Sequence, residues 1–182
     1  LLKILNTDKL DNNIFDLGCG NGSVANILSK SGWKLTGIDP STEGISKAKQ
    51  SYPDLKLYQG SAYDDLQAIY GNFPTLVSLE VVEHVYAPRK YAKCIFDLLE
   101  PNGFGIISTP YHGYFKNLIL ALSGKMDAHF TALWDHGHIK FWSVKTLKEL
   151  LEEAGFVDIK FTGVGRVPLL SKSMIVTFRK PK

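Results

Sequence analysis

The chain has 182 residues, of which 45% are hydrophobic, and its formal net charge is +3. This length predicts a single domain with one well-buried core. The charges are scattered apart from a short basic tail at 179–182, which argues against a nucleic-acid-binding surface, and the longest apolar stretch of the second half, Leu118–Leu122, is far too short for a transmembrane segment.

The first residues, LLKILNTDKLDNN, contain neither an initiator Met nor a cleavable signal pattern, so we expect a trimmed chain. The two cysteines, Cys19 and Cys94, are too few for a disulfide framework. We therefore expect a protein of the reducing cytoplasm.

Strand-like and helix-like segments alternate along most of the sequence. Short apolar runs predict strands at Asn13–Leu17, Lys34–Ile38, Leu55–Gln59, Thr75–Leu79 and Phe104–Ser108. Helical spacing, caps and breakers predict helices from Val24 to Gly32, from Ser41 to Ser51, from Asp64 to Tyr70 and from Arg89 to Leu99. The last of these helices is expected to bury Tyr91, Ile95, Leu98 and Leu99. Because parallel strands need crossover helices, this alternation predicts a parallel sheet covered on both faces.

The end of the chain has a different pattern. Leucines at helical spacing predict a helix that ends at Gly155. Two strands follow, Phe156–Phe161 and Met174–Phe178, and a turn that contains Gly and Pro joins them. Because no helix separates these strands, we expect a terminal antiparallel hairpin.

Residues 111–142 fit no simple βα unit and are predicted to form an insertion between the core segments 13–110 and 143–180. The predicted fold is therefore a doubly wound α/β domain, a three-layer α/β/α sandwich. Its seven-stranded mixed sheet is mostly parallel and ends in the antiparallel hairpin.

The first strand leads through a glycine-rich loop, Gly18-Cys19-Gly20-Asn21-Gly22, into the first helix. Such a loop lets a ligand approach the backbone and meet free amides at the helix start. A dinucleotide site would have the spacing G-x-G-x-x-G, whereas the spacing here is G-x-G-x-G. Asp16 precedes the loop and would repel a pyrophosphate, but it suits a ligand with cationic ammonium and sulfonium groups.

A second acid, Asp39, ends the second strand in the stretch LTGIDPS. At this position beside the glycine loop, a carboxylate can accept hydrogen bonds from both ribose hydroxyls of an adenosine. Ser41 is the better cap for the next helix, which leaves Asp39 available for a ligand. Together, DLGCGNG and GIDPS are strong evidence for such a site.

With these stretches the chain resembles the Rossmann-like class I S-adenosylmethionine-dependent methyltransferases, from about Ile14 to Phe178. DLGCGNG is similar to their first motif, GIDPS to their ribose-binding acid and LLEPNGFGIISTP to a later strand-entry motif. The resemblance implies a cofactor site made of Asp16, Gly18, Cys19, Gly20, Gly22, Asp39, Pro40, Ser61, Ala62, Tyr63, Leu79 and Glu80. Family members often carry an Asp after the third strand to bind the adenine amine. This chain has Ser61 there, so we expect Ser61, Ala62 or Tyr63 to bind the adenine.

The stretch SLEVVEHVYAP follows the fourth strand, at the edge where open α/β sheets bind ligands. If it forms a helical turn, Glu80, Glu83 and His84 share one face. Methyl transfer to oxygen or nitrogen requires removal of a proton, and a neutral imidazole can act as the base near pH 7. His84 is the first candidate for this catalytic role, and His136 or His138 of the insertion is the second.

This E-x-x-E-H pattern with a downstream histidine most resembles the ubiquinone-biosynthesis O-methyltransferase branch. Small-RNA 2′-O-methyltransferases have a similar pattern that forms a divalent metal site. Carried over, the ligands are Glu80, Glu83, His84 and His136, with His138 as the alternative to His136, and such a set suits Mg, Mn or Zn. In metal-free relatives the same residues support the cofactor and line the pocket, so both interpretations stay open. The lack of a basic stripe disfavours RNA as the substrate.

Aromatic side chains are frequent in the insertion, at Tyr111, Tyr114, Phe115, Phe130 and Trp134. Above the sheet edge they can form a substrate lid that excludes water and stacks a flat or apolar acceptor, such as a quinol-like, polyketide or lipid-linked molecule. Attachment of the insertion to the sheet explains them equally well. An interfacial membrane helix is disfavoured by the small number of basic residues.

The sequence thus predicts that residues 1–182 form one methyltransferase domain that uses S-adenosylmethionine and a small-molecule acceptor, with oxygen preferred over carbon or nitrogen. Two alternatives remain. One is an NAD-dependent oxidoreductase, which the glycine spacing and Asp16 disfavour. The other is a non-catalytic cofactor-binding scaffold of the same fold.

Overall fold

A computed structural model describes residues 1–7, 10–165, 167 and 170–182 of the protein. The described strands are β1 (Asn13–Leu17), β2 (Lys34–Asp39), β3 (Lys56–Gln59), β4 (Phe73–Leu79), β5 (Leu99–Pro110), β6 (Val157–Val164) and β7 (Ser173–Arg179). The described helices are α1 (Leu2–Thr7), α2 (Ser23–Lys30), α3 (Thr42–Ser51), α4 (Leu66–Tyr70), α5 (Pro88–Leu98), α6 (Tyr114–Leu122), α7 (Met126–Phe130) and α8 (Val144–Glu153). Among these helices, none has both the length and the apolar character that crossing a bilayer requires.

The strands form one seven-stranded sheet in the order β3-β2-β1-β4-β5-β7-β6. Strands β1 to β5 are parallel to one another, and β7 runs antiparallel to both of its neighbours, β5 and β6. The predicted mixed sheet and its terminal hairpin are therefore confirmed. Arg166, Pro168 and Leu169, in the predicted turn of that hairpin, lie outside the described residues.

Side chains of β1 alternate between two apolar clusters. Ile14 belongs to one cluster with Ala25 and Leu28 of α2, whereas Phe15 belongs to the other with Ile95 of α5. This alternation is what a strand with helices on both faces requires, because successive side chains point to opposite sides. The strand is consequently buried on both faces.

The chain reverses its direction of strand addition at β1, which has β2 on one side and β4 on the other. In open α/β sheets, the crevice for ligands lies at the carboxyl ends of the strands at such a switch point. The glycine loop follows β1, and the acidic stretch that contains Glu83 follows β4. The fold therefore brings the two predicted parts of the site to one edge of the sheet.

A buried hydrogen-bond chain fixes the end of β1. The hydroxyl of Tyr91 in α5 donates to Ser78 Oγ of β4 over 2.8 Å, and Ser78 Oγ donates to the Leu17 carbonyl over 2.7 Å. All three residues are almost fully buried, so the bonds are shielded from competing water. Leu17, which precedes the glycine loop, is thereby connected to α5 through Ser78 of β4.

Two features differ from the expectations, and the predicted insertion contains two short helices. Leu99 is buried as predicted but is the first residue of β5 rather than part of α5, because Pro101 disfavours the helical conformation at Glu100 before it. Helix α1 was not predicted, and its Leu5 is buried in the cluster that also holds Ile14. The segment between β5 and α8 contains the short helices α6 and α7.

Candidate functional site

The glycine loop is bound to the end of β2 and has an unusual backbone. The amides of Gly18 and Cys19 both donate to the Ile38 carbonyl, over 2.8 and 2.9 Å. Gly18, Gly20 and Gly22 all have positive φ angles, of 90°, 53° and 77°. This left-handed region favours glycine because it carries no Cβ.

The first two glycines of this motif have different surroundings. A Cβ on Gly18 would lie 2.3 Å from Val81 Cγ2, so that glycine allows close packing of the segment after β4. A Cβ on Gly20 would meet no described atom within 4 Å. The backbone at Gly20 therefore borders open space, as a loop that holds a ligand by its main chain must.

Asp16 is a buried carboxyl just before this loop. It is 2% exposed, and its Oδ2 has no hydrogen-bond partner among the residues described. Burial, with a further contribution from the nearby charge of Asp39, raises the pKa of Asp16 from 3.8 to about 7. An unpaired buried carboxylate is destabilising, and a cationic group of a ligand would relieve that cost. The buried carboxylate of Asp16 thus fits a ligand that carries a positive charge.

Asp39 is the last residue of β2, and each of its carboxylate oxygens accepts one main-chain hydrogen bond. Oδ2 accepts from the Gly20 amide over 2.9 Å, and Oδ1 accepts from the Ser41 amide over 2.8 Å. A carboxylate has about four acceptor sites, so each oxygen keeps one for a ribose hydroxyl. Ser41 caps α3 by accepting from the Gly44 amide over 3.0 Å, as predicted.

A cavity of about 140 Å³ connects the two halves of the site. It is lined by Leu17, Gly18, Ile38, Pro40, Ser61, Ala62, Tyr63, Val81, His84 and Val85. The lining includes five of the predicted cofactor residues together with the first catalytic candidate. Its walls are mostly apolar, as is typical of a pocket for a flat base with a few polar anchors.

Cys19 lies in the loop but fills space with its side chain. The residue is 7% exposed, and a Cβ on Gly37 would lie 3.0 Å from Cys19 Cβ. Burial, followed by the charges of Asp16 and Asp39, raises the pKa of the Cys19 thiol. The thiol is therefore protonated at neutral pH and is a poor nucleophile.

Asp64, which was not among the predicted site residues, stabilises the loop after β3. Asp64 Oδ2 accepts from the Ser61 amide over 2.7 Å, and Ser61 Oγ accepts from the Tyr63 amide over 3.2 Å. The Tyr63 hydroxyl accepts from the Ala87 amide over 3.0 Å, which joins this loop to the start of α5. An Asp close to a loop serine is a typical turn signal, so Asp64 was recognisable from the sequence.

The segment after β4 does not form the helical turn that would put Glu80, Glu83 and His84 on one face. Glu80 has a φ of 55°, which is incompatible with a right-handed helix, and its Oε1 accepts from Ser108 Oγ over 2.7 Å. Glu83 instead lies in a turn, with Oε2 accepting from Thr109 Oγ1 over 3.0 Å. The two glutamates therefore do not share a helix face, because the left-handed residue redirects the chain at Glu80.

Glu83 is the second buried carboxyl of the site. It is 1% exposed, and its Oε1 lacks a hydrogen-bond partner within the described part of the chain. Burial is the main cause that raises the pKa of Glu83 to about 7; the charge of Glu80 adds to the rise, and hydrogen bonds, including that from Thr109, oppose it. His138 Nε2 lies 4.0 Å from this oxygen, and burial followed by His84 and His129 lowers the pKa of His138.

His84 contacts the insertion through Nδ1, which lies 3.0 Å from the His136 carbonyl and 3.2 Å from the Gly137 carbonyl. Its ring meets the His138 ring edge-on, with 4.9 Å between the centroids. One potential ligand atom each from Glu83, His84 and His138 lies within 4.8 Å of the others. The structure therefore groups His138, rather than Glu80 or the exposed His136, with Glu83 and His84.

The predicted lid aromatics separate into two sets. Phe130 stacks on His112 at 5.9 Å, and Trp134 packs on His138 at 5.3 Å. Tyr114 and Phe115 of α6 are exposed to solvent instead. His112 and His138 thus have aromatic neighbours from the insertion, although Trp134 is itself about half exposed.

Comparisons with known proteins agree with this fold. Residues 1–160 match the family model described as a methyltransferase domain. The chain is 26% identical over 165 residues to the ubiquinone biosynthesis O-methyltransferase of Psychrobacter arcticus, covering 87% of this chain and 64% of that protein. It is 29% identical over 163 residues to the protein of the same name from Dinoroseobacter shibae, covering 86% and 64%.

A solved S-adenosylmethionine-dependent methyltransferase from Methanosarcina mazei has the same fold, with a TM-score of 0.72 and 20% sequence identity, covering all of this chain and 98% of the other. The chain spans slightly less than two thirds of the length of the two curated relatives. The family match covers most of the chain, including the glycine loop, Asp39 and the Glu83 turn. The chain belongs to the methyltransferase domain family, and its sheet is that of S-adenosylmethionine-dependent methyltransferases.

Proposed function

We propose that the chain transfers a methyl group from S-adenosylmethionine to an oxygen atom of a small molecule. The observation that carries this proposal is the cavity that is lined by both Gly18 and Pro40 of the predicted cofactor site and by His84. When bound, the cofactor supplies an electrophilic methyl group on a positively charged sulfur. The relatives named O-methyltransferases support oxygen as the acceptor atom. The comparisons give no support to the oxidoreductase alternative.

The residues around the loop hold and orient the cofactor in this proposal. Asp39 accepts from the ribose hydroxyls, Asp16 stabilises the cationic methionine part, and the open backbone at Gly20 lets that part approach closely. Ser61, Ala62 and Tyr63 form the wall for the adenine. Holding both reactants in line can supply several kcal/mol of the rate acceleration.

His84 acts as the general base for the acceptor hydroxyl. Its Nδ1 faces two carbonyl oxygens and must carry the proton, which leaves a lone pair on Nε2. A neutral imidazole with a free lone pair can accept the hydroxyl proton as the methyl group is transferred. The acceptor is aromatic or lipid-like in this proposal, because Trp134 packs beside both His84 and His138.

Replacing His84 by Ala is expected to lower kcat by about 100-fold, the lower end of the range for loss of a general base. The affinity for S-adenosylhomocysteine should stay unchanged, because the ring lies at the acceptor end of the cavity. Turnover of a panel of phenolic and quinol-like acceptors, together with titration calorimetry, measures both quantities. Tyr86→Ala is the matched control, since Tyr86 is an exposed aromatic in the same segment. Full activity of the His84 variant would exclude it as the base.

Binding of a divalent cation is the alternative role of the His84 ring. Glu83, His84 and His138 provide the mixed carboxylate and imidazole donors that suit Mg, Mn or Zn, and the unpaired Oε1 of Glu83 favours such an ion. The predicted partners Glu80 and His136 lie outside this triad. A bound cation would supply charge stabilisation for the acceptor oxygen.

Removal of metal separates the two uses of His84. If the triad holds a catalytic cation, EDTA should abolish turnover and Mg or Mn should restore it. Calorimetric titration with Mn²⁺ should then show binding that is lost in Glu83→Gln and kept in Glu80→Gln, because only Glu83 belongs to the triad. Turnover that is indifferent to EDTA would instead favour His84 as a metal-free base.

A further inference from the structure

The insertion contacts the segment after β4 through a row of main-chain hydrogen bonds. The amides of Ile139 and Lys140 both donate to the Glu83 carbonyl, over 2.9 and 3.0 Å. Nearby, Trp142 Nε1 donates to the Val82 carbonyl over 3.0 Å. Three bonds therefore fix the chain just after Gly137 onto the two residues that precede His84. The contact between His84 Nδ1 and the two carbonyls is thus part of a larger fixed arrangement.

These two carbonyls determine which ring nitrogen of His84 carries the proton. A carbonyl oxygen only accepts, so a nitrogen within 3.0 and 3.2 Å of two carbonyls must donate. In water the neutral histidine ring prefers the proton on Nε2, and a hydrogen bond at one nitrogen can reverse that preference. The insertion therefore imposes on His84 the tautomer that is less favoured in solution.

Gly137 is needed for the turn that presents these carbonyls. Its amide donates to the Trp134 carbonyl over 3.0 Å, and a Cβ at this position would lie 2.8 Å from that same oxygen. The obstacle is a main-chain atom, so a larger residue must displace the turn rather than rotate a side chain. His136 supports the same geometry with a φ of 59°.

We propose that Gly137 is a positioning residue that, through the main-chain carbonyls of the insertion, fixes His84 with its proton on Nδ1 and its lone pair on Nε2. The catalytic consequence rests on the proposed function, whereas the tautomer itself does not. The same tautomer is required whether Nε2 takes a proton from the acceptor or binds a cation. Gly137 thereby prepares the reactive nitrogen without touching the substrate.

Long-range ¹H–¹⁵N NMR spectra of the ¹⁵N-labelled protein test this proposal directly. The spectra are recorded in alkaline buffer with EDTA, and the His84 signals are assigned by their loss in His84→Gln. The wild-type ring should show a protonated Nδ1 and an unprotonated Nε2. Gly137→Ala should shift the population toward a protonated Nε2. His136→Asn should keep the wild-type pattern, because asparagine tolerates a positive φ and retains the carbonyl.

Kinetics give the second readout. Gly137→Ala should reduce kcat about tenfold while the affinity for S-adenosylhomocysteine stays within about twofold, since only the base loses its orientation. If that variant does not fold, Trp142→Phe removes one of the three fixing bonds, keeps most of the ring volume and should produce a smaller shift of the same sign.

A wild-type His84 protonated on Nε2 would overturn the proposal whatever the activity. An unchanged tautomer in a folded Gly137→Ala would overturn the role of that glycine. A protein that shows the Nδ1 tautomer but methylates no acceptor would support the positioning proposal and count against the proposed function.

Discussion

Asp16→Asn is expected to weaken S-adenosylhomocysteine binding at least about tenfold, because the carboxylate that would face the ammonium loses its charge. The same substitution should make the ligand-free protein more stable above pH 7. Both effects come from one property of Asp16, a buried carboxylate oxygen that lacks a partner among the described residues. Replacing a group that serves only folding would not increase stability while it weakens ligand binding.

The stability effect has a defined dependence on pH. Between about pH 4 and pH 7, the folded chain keeps a proton on Asp16 that the unfolded chain has released, because folding raises the pKa of this carboxyl from 3.8 to about 7. The contribution of Asp16 to the free energy of unfolding therefore decreases as the pH rises through this window. The increase in the free energy of unfolding caused by Asp16→Asn should be near zero below about pH 4. It should reach at most about 4 kcal/mol above pH 7, because each pH unit between the two pKa values contributes 1.36 kcal/mol.

Urea denaturation at several pH values, with calorimetric titration of S-adenosylhomocysteine, measures both effects. Asp54→Asn is the matched control, because Asp54 is exposed and its substitution should change stability by less than about 0.5 kcal/mol. An Asp16→Asn protein that binds the ligand as tightly as the wild type would exclude a contact between this carboxylate and the cationic part of the cofactor.

Asp39→Ala is expected to weaken S-adenosylhomocysteine binding by about 2 kcal/mol, through loss of charged hydrogen bonds to the ribose. The carboxylate also accepts from the amides of Gly20 and Ser41, so alanine removes support from the glycine loop as well. Asp39→Asn keeps one carbonyl oxygen, and its affinity should lie between those of the wild type and the alanine variant. Calorimetric titration of the three proteins gives the order directly.

Ser41→Ala separates capping of α3 from ligand binding. Ser41 accepts from the Gly44 amide, and loss of such a cap typically costs about 1 kcal/mol of stability. Its affinity for S-adenosylhomocysteine should equal that of the wild type, because the Ser41 amide still donates to Asp39. Equal ligand affinities of Asp39→Ala and the wild type would contradict the ribose assignment.

Local signals in the sequence were sufficient for the sheet and for placing the glycine loop and Asp39 at its edge. A short apolar run followed by glycine predicted β1 over the observed residues Asn13–Leu17, and Asp39 was placed at the end of β2. Such features depend on neighbours within a few residues. The cavity beside Gly18, Pro40 and Ser61 follows from them once the strands are parallel.

The acceptor half depends on long-range contacts that no local pattern contains. The left-handed conformation of Glu80 is accompanied by hydrogen bonds to Ser108, a strand away, and nothing in SLEVVEHVYAP indicates it. The choice between His136 and His138 depends on how the insertion folds back onto Glu83. A shift of two residues in that path would exchange their positions, so the sequence left both open.

The hydrogen bonds from Tyr91 through Ser78 to Leu17 have a consequence for how the acceptor specificity of the domain can change. They connect the end of β1, beside the proposed cofactor site, to β4 and α5, whereas in the proposed function the acceptor side comes from the insertion between β5 and α8. Under that proposal, changes in the insertion can alter the accepted molecule while binding of the methyl donor is preserved. Exchange of residues 111–142 between homologues is accordingly a practical route to altered selectivity.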